Sequence, residues 1–519
     1  MSEPVGSSAD WPVDPASAGW PVAAIRAAEA ALMLGLPEGA LMARAAQGLA
    51  DRCEALLRGV GRPVAGAQVV ALIGAGNNGG DTLHAAAQLT RRGAQVTARL
   101  LADRSHPEGL AAARAAGVHV VRGGIADPDA DAADARGRTC DLLLDGILGI
   151  GGRGPLSPVA ADVYGAIRTA AQAAGGRMLT VAVDLPSGVN PDTGIVEDPA
   201  RVIHADLTVT FGCGKPCLFV DPGARYAGRV EVVDIGLMSH LRSPPTVRRV
   251  SIAEQAAAQV PLAGETSKYR RGVVAILAGS ARYPGAAVLA LGAARRGGAG
   301  MVRGVIPREL RAPLAIRYPE IVTGGWRERG APVLSDSRVR AWGCGPGLGT
   351  GRRARAQIGA VLATGLPVVL DADALTVLAG GGVSAHRYCI LTPHEGEAER
   401  LRPAALADGR LAGLAVLVDR YQCTVLLKGH RTLIGAPGLP WAWVVDRAPA
   451  ALATAGSGDV LTGLLASMLA AHSGAGRPVD PAHLARLAAA AAYWHATSAE
   501  ALAVRLGSGL TAGDVIDGL

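Results

Sequence analysis

The chain has 519 residues, half of them hydrophobic, and 51 Lys plus Arg against 44 Asp plus Glu give it a formal charge of +7. That length exceeds what one hydrophobic core organises and predicts two domains. Its apolar stretches are broken by Arg, Asp or Pro before the roughly 20 residues of a membrane span, Met1–Trp20 lacks the basic start and apolar core of a secretory signal, and its cations are dispersed rather than gathered for nucleic acid, so the expectation is a cytoplasmic protein bound to neither membrane nor nucleic acid.

Seven scattered cysteines suit reduced thiols. Only three of the basic residues are Lys (Lys215, Lys268, Lys428), and only three Asn occur (Asn77, Asn78, Asn190). In a background that favours Arg and avoids Asn, the survivors mark places where a compact ammonium or a neutral amide has no substitute. Five of the six lie in or beside Gly-rich loops.

In chain order, residues 1–20 read as a tail and Val22 to Val60 as helix. Strand-like and helical runs then alternate: Val69 to Ile73, Thr82 to Arg92, Val96 to Leu101, Leu142 to Leu144, Ala160 to Ala174, Leu179 to Val183 and Leu207 to Phe211. Such alternation predicts a mostly parallel sheet covered by helices, over residues 21–240. Between the first strand and its helix lies Gly74-Ala75-Gly76-Asn77-Asn78-Gly79-Gly80-Asp81. This satisfies the dinucleotide pattern G-x-G-x-x-G, with Asp103 where a ribose-binding acid would sit. Asp81 at the helix start argues against it, because a carboxylate there repels a pyrophosphate. Two further loops start with an acid at a strand end, Asp145 and Asp184, and in an open sheet those ends share one crevice with Asn78, Asp81 and Ser187. Helix capping and turn chemistry explain any one of them; several together predict a site.

Gly-Asn-Asn-Gly-Gly-Asp, the Asp145–Pro155 loop Asp-Gly-Ile-Leu-Gly-Ile-Gly-Gly-Arg-Gly-Pro, Val-Asp-Leu-Pro-Ser-Gly-Val-Asn and the stretch from Asp206 to Lys215-Pro216 resemble the NAD(P)H-hydrate epimerases over roughly residues 20–240. The resemblance implies a Rossmann-like doubly wound domain. It implies that substrate is held by Asn77, Asn78, Gly79, Gly80 and Asp81 with Gly149, Ile150, Gly151, Gly152, Arg153, Gly154 and Pro155. Asp184 would be the catalytic acid/base partner, and Asn78, Asp145 and Ser187 would offer oxygens to K+. Thr82 departs from the family's usual Gly, at an expected cost in loop freedom.

Residues 241–249 carry Ser-Pro-Pro-Thr and several Arg without an apolar period and read as a linker. A second alternation follows over 250–519: Val273 to Leu277, Ala286 to Arg296, Met301 to Ile306, Arg352 to Ala363, Val368 to Leu370, Cys389 to Leu391, Thr424 to Leu427 and the helix Val460 to His472. Before that helix stands Gly456-Ser457-Gly458-Asp459. Its glycines let backbone amides approach phosphate, and Asp459 beside such a cradle can take the proton of an attacking hydroxyl. No Walker sequence occurs. Lys428-Gly429-His430-Arg431-Thr432 offers a cation, a glycine and a hydroxyl to a nucleotide's phosphates, or else is a hairpin with a solvated Lys. His394 in Thr-Pro-His-Glu-Gly-Glu is either a ligand or a helix cap. Gly345-Pro346-Gly347-Leu348-Gly349 and Asp371-Ala372-Asp373 complete the strand-end loops.

These motifs, in this order, resemble the ribokinase-like NAD(P)H-hydrate dehydratases over roughly 250–519. By that resemblance Ala286, Gly347, His394 and Asp459 contact the substrate, and Lys428, Gly429, His430, Arg431, Thr432 and Gly458 the adenine nucleotide. Ser267 stands where the family usually has His, so no role is carried to it. Together the two resemblances imply repair of hydrated NADH or NADPH: the R and S epimers are interconverted, and the S form is dehydrated with ADP as phosphate donor and with Mg2+. The implied partners are NAD(P)HX, the adenine nucleotide and further copies of the chain. The rival readings are a vitamin-precursor kinase, a hydride-transferring first domain and a first domain serving only as a nucleotide sensor or protein-interaction module.

Overall fold

The computed structural model describes residues 14–123, 140–173, 175, 177–261, 264, 266–326, 333–477 and 479–519. They form two compact units, Met1–Val247 and Arg248–Leu519. Among the described residues no helix is long and apolar enough to cross a membrane.

The first unit is built on seven parallel strands: β1 (Gln68–Ile73), β2 (Gln95–Leu100), β3 (His119–Arg122), β4 (Leu142–Gly146), β5 (Leu179–Val183), β6 (Leu207–Phe211) and β7 (Arg229–Val233). They lie in the order β3-β2-β1-β4-β5-β6-β7. β1 shows why: its side chains alternate between two cores. Val69, Ala71 and Ile73 pack with Leu49, Leu57 and Leu83 on one face, while Val70 and Leu72 pack with Leu143, Tyr164 and Ile203 on the other. A strand buried on both faces reads as a continuous apolar run, which is how it looks in the sequence. The helices on those faces include α1 (Val22–Met33), α2 (Ala40–Gly59), α3 (Asn77–Arg91), α4 (Pro107–Ala115) and α5 (Pro158–Ala173). β1 has β2 on one side and β4 on the other, which makes its C-terminal end the topological switch point where such sheets bind ligands.

Three expectations for this unit are corrected. The helix expected over Val22 to Val60 is two helices, because Pro37 and Gly39 (φ 74°) stop the chain between Met33 and Ala40. α3 starts at Asn77 rather than Thr82, so Asp81 lies one turn inside it and Thr82 is helical; the Thr82 hydroxyl donates to the Asn78 carbonyl at 2.7 Å. Of the expected tail, residues 1–13 lie outside the described residues, as does Ala174 of the next expected helix, but Ala18 and Trp20 are buried in the first unit. The boundary between the two units, after Val247, falls within the linker expected at 241–249. Leu241 and Val247 are buried, and Val247–Arg249 is a strand.

The second unit carries β8 (Val273–Leu277), β9 (Met301–Val305), β10 (Val322–Gly324), β11 (Val339–Cys344), β12 (Val368–Leu370), β13 (Cys389–Leu391), β14 (Thr424–Leu427), β15 (Thr432–Gly435) and β16 (Ala442–Val445). Their order is β10-β9-β8-β11-β12-β13-β14-β15-β16, parallel as far as β14 and antiparallel beyond it. Its helices include α6 (Pro284–Ala294), α7 (Arg352–Leu362), α8 (Asp373–Ala379), α9 (Glu395–Leu401), α10 (Arg410–Tyr421), α11 (Ser457–Gly474) and α12 (Pro481–Leu506). Every residue of α11 from Val460 to His472 is buried, as its apolar character on all sides demands. α11 begins at Ser457, three residues before the expected Val460, so Ser457, Gly458 and Asp459 form a first helical turn rather than a loop.

Candidate active sites

In the first unit the ends of β1, β4, β5 and β6 are successive neighbours, and they bring the expected residues to one edge. Gly74, after β1, approaches the β4 loop so closely that a Cβ there would lie 1.9 Å from the Ile147 carbonyl oxygen. Asn78 faces Gly149, where a Cβ would lie 3.1 Å from that of Asn78. Ser187 ties two loops: its amide and hydroxyl donate to Asp145 at 2.8 and 2.6 Å, and its oxygen accepts from the Leu148 amide at 2.8 Å. Asp145 is fully buried without a cationic partner among the described residues, and burial raises its carboxyl to about 6 although the Ser187 bonds pull it down.

Asp184 follows β5 with a left-handed backbone (φ 69°), a conformation costly for a residue with a Cβ. The geometry is held by Lys215, which is 1% exposed. Lys215 Nζ lies 2.5 Å from Asp184 Oδ1, 2.7 Å from Thr210 Oγ1 and 3.0 Å from the Phe211 carbonyl oxygen. Thr210 Oγ1 and the Phe211 amide also donate to Oδ1, so Oδ2 takes part in none of these bonds. Burial opposes the charge on Lys215, yet Asp184 outweighs it and Lys215 sits above the ordinary lysine range. Two more carboxyls share the field. Asp81 is raised well above its usual value by burial, then by Asp184 and Glu29, and Glu29 is raised by burial and then by Asp184. The edge thus offers a carboxylate paired with a buried cation beside two carboxyls that burial and the neighbouring negative charge push above their usual range. Arg26, one turn before Glu29 on α1, places Nη2 3.2 Å from the Cβ position of Gly151.

In the second unit Lys428 and Gly458, distant in sequence, converge: Lys428 Nζ is 3.4 Å from the Cβ position of Gly458. Lys428 to Thr432 is the turn of the β14–β15 hairpin, but its Lys is not solvated. Nζ pairs with Asp371 Oδ1 at 2.7 Å and lies 3.5 Å from Glu397 Oε2. Burial opposes that charge and the two carboxylates outweigh it, so Lys428 is also raised. The Thr462 hydroxyl donates to Asp371 Oδ2 at 2.8 Å. Asp459, in the first turn of α11, is raised to about 7 by burial and then by Asp371, against the pull of Lys428. A carboxylate poised there is suited to proton abstraction near neutrality.

Gly347 (φ 60°) packs against the other expected substrate residue: a Cβ there would lie 2.8 Å from the Ala286 Cβ. The Gly349 amide donates to Asp373 at 2.7 Å, which ties this loop to the carboxylates around Asp459. His394 caps α9, its Nδ1 accepting from the Gly396 and Glu397 amides at 3.0 and 3.3 Å. The Arg410 guanidinium donates to the Leu427, Lys428 and Arg431 carbonyls at 3.3, 3.2 and 3.2 Å and braces the hairpin.

Sequence reasoning gave no site role to Lys215, Glu29, Asp371, Glu397 or Arg410. The scarcity of Lys was a usable signal for Lys215. Glu29 and Arg410 stand on ordinary helices, α1 and α10, and carry no local mark.

A family model described as NAD(P)H-hydrate dehydratase matches residues 274–519, and one described as YjeF-related protein N-terminus matches residues 38–217. The bifunctional NAD(P)H-hydrate repair enzyme Nnr of Mycobacterium tuberculosis is 41% identical over 448 residues, 85% of this chain and 87% of that protein. That of Synechocystis sp. is 33% identical over 480 residues, 89% of this chain and 86% of that protein. Among solved structures, the ADP/ATP-dependent NAD(P)H-hydrate dehydratase from Bacillus subtilis co-crystallised with ATP and Mg2+ is 28% identical, with a TM-score of 0.42, and covers 51% of this chain and 93% of that one. Both units are matched by these relatives, and the chain belongs to the family of bifunctional NAD(P)H-hydrate repair enzymes.

Proposed function

We propose that the first unit interconverts R- and S-NAD(P)HX through Asp81, Asp184 and Lys215, and that the second dehydrates S-NAD(P)HX with Asp459 as base and ADP as phosphate donor. One chain joins two sets of carboxyls tuned for opposite proton movements, and this carries the reading.

In the first unit, Asp81 keeps its proton and donates it to the hydroxyl of the hydrated carbon. The C–O bond then breaks with the ring nitrogen's lone pair filling in, and water leaves. Asp184, whose Oδ2 stands outside the bonds to Lys215, takes a proton from water as it adds back to either face, and that proton returns to Asp81 to reset the pair. Lys215 holds Asp184 in place for that step. Asn77, Asn78, Gly79 and Gly80 with residues Gly149 to Pro155 hold the nucleotide. K+ fits at Asn78, Asp145 and Ser187: Asp145 is a buried carboxylate without a counter-ion among the described residues, and the Asn78 side-chain nitrogen is buried without a hydrogen-bond partner, as though the amide were turned toward a ligand with its oxygen. A bound K+ would neutralise that carboxylate.

In the second unit, the substrate hydroxyl gives its proton to Asp459 while its oxygen attacks the terminal phosphorus of ADP, releasing AMP. The new bond is O–P, and the C–O bond, now carrying phosphate as leaving group, breaks more readily than one to hydroxide. Phosphate leaves with the C–O bonding pair as the ring nitrogen's lone pair fills in at that carbon, and loss of a proton from the neighbouring carbon restores NAD(P)H. Lys428 with Gly429, His430, Arg431, Thr432 and Gly458 receives the nucleotide phosphates, and Ala286, Gly347 and His394 flank the substrate. No cluster of three His, Cys, Asp or Glu able to cage a metal occurs among the described residues. Asp371 and Glu397, which meet at Lys428, would hold a Mg2+ arriving with the phosphates, and it would neutralise charge on the transferred phosphoryl. We further place the protein in the cytoplasm as a homo-oligomer.

The test is to incubate the purified protein with mixed NADHX epimers and ADP while following NADH absorbance and both epimers by chromatography. Recovery from both epimers is expected. Recovery from S alone removes the epimerase, and unchanged epimers with no recovery overturn the whole reading.

A further inference from the structure

A cavity of about 640 Å³ opens at the C-terminal ends of β8 and β9, where Leu277 and Val305 finish their strands. Its volume lies within the roughly 300–1,000 Å³ of small-molecule sites. Leu348, next to Gly347, forms part of its wall. The same loop is tied at Gly349 to Asp373, so the cavity begins where the dehydration site ends.

Its position in the sheet separates it from the adenine-nucleotide site. Asp371 follows β12; the Lys428 hairpin lies two strands to one side, and β9 three strands to the other. At about 4.8 Å per strand, the β8 and β9 ends lie about 10 and about 14 Å from the line of Asp371 and about 19 and about 24 Å from that hairpin. ADP held at Lys428 cannot fill it. An extended dinucleotide with its nicotinamide end at Asp459 can reach it.

The lining has the chemistry for the remainder of that molecule. Arg308, Arg311 and Arg353 face one carboxylate, Glu309. Arg308 and Arg353 are exposed and pair with no described carboxylate. Gln357, one helical turn after Arg353 on α7, is 7% exposed and lines the cavity, and its side-chain amide bonds to no described residue. Its amide atoms are not shut away from solvent, so they reach the cavity, where the polar edge of a ligand can meet them. Trp326 adds a half-buried aromatic face on which a base can stack.

We infer that this cavity is the subsite for the adenosine half of the hydrated dinucleotide, with Arg308 and Arg353 on its phosphates, Trp326 against the adenine and Gln357 on the adenine or ribose edge. The inference rests on the dehydratase reading and extends it to substrate recognition.

The experiment measures dehydration of S-NADPHX and of the truncated S-form of hydrated reduced nicotinamide mononucleotide, which lacks the adenosine half, by wild type, Arg353→Ala and Gln357→Leu. Each variant should raise KM for S-NADPHX about tenfold at near-constant kcat, the loss of one charge-assisted or buried hydrogen bond. The preference for dinucleotide over mononucleotide should fall by the same factor. Arg353 is exposed, so its variant folds whatever becomes of Gln357→Leu. Equal KM changes for both substrates, or none for either, with an active wild type, overturn the subsite alone. An inactive wild type overturns the dehydratase reading with it.

Discussion

Asp459 allows two independent measurements of one physical cause. Its carboxyl is raised from 3.8 to about 7, so ionising it in the folded protein costs about 4 kcal/mol more than in the unfolded chain, at about 1.4 kcal/mol per pH unit. The folded state holds this proton more tightly, and stability therefore falls as pH rises from about 4 to about 7 and is level above that. Asp459→Asn removes the cost. At pH 8 the second unit should gain up to about 4 kcal/mol against urea unfolding, with almost no gain at pH 4. The same variant should lose about 10²–10⁴-fold in dehydration, because an amide cannot accept the hydroxyl proton. In the wild type, kcat/KM should rise with pH along a limb centred near 7, so that at pH 5 it is about 100-fold below its plateau. The assay is absorbance recovery at limiting S-NADHX across pH 5–9, paired with urea titrations at pH 4 and pH 8. An acid limb near pH 4, or a variant less stable than wild type at pH 8, would refute the argument.

Asp371 is the second cause of that raised value, so in Asp371→Asn the acid limb of kcat/KM should move to lower pH; an unmoved limb would mean burial alone sets it. Lys215→Met leaves Asp184 buried without its cation, which should cost about 3–5 kcal/mol in the first unit and abolish epimerisation, while dehydration of pure S-NADHX persists. Adding Asp184→Asn to that variant should restore most of the stability but no epimerisation, as read by chemical denaturation and epimer chromatography. Gly347→Ala puts a Cβ 2.8 Å from those of Ala286 and Tyr283 at φ 60°; it should raise KM for S-NADPHX and lower the melting temperature of the second unit, with R/S interconversion unchanged.

The alternation of strands and helices was legible because buried parallel strands such as β1 and β5 are apolar but for one residue each. β3 and β7 lie at the sheet's edges and are only partly buried, so they carry no such run and were not expected. The α/β class of both units followed from that alternation. Helix starts were misplaced where glycines lead in: Asn77 and Ser457 open α3 and α11 inside stretches whose composition reads as loop. The strand-end acids were legible because each is the first residue past an apolar run. Their partners were not. Lys215 lies 31 positions from Asp184, and Lys428 lies 57 from Asp371; such pairings exist only once the sheet order is known. His394 was open between ligand and cap, and its ring does cap α9, an arrangement that leaves Nε2 outside the two capping bonds.

Lys215 and Lys428 are the most enclosed amines of the chain, each protonated and clasped by carboxylates, while Lys268 is exposed. Toward an acylating reagent the folded protein therefore presents a single reactive lysine. Opening of the first unit releases one further amine and opening of the second another. The number of acylated lysines per chain, read by intact mass during a denaturant ramp, counts how many units have opened, and the modified peptide says which opened first. The scarcity of lysine thus equips each unit with its own chemical reporter of unfolding.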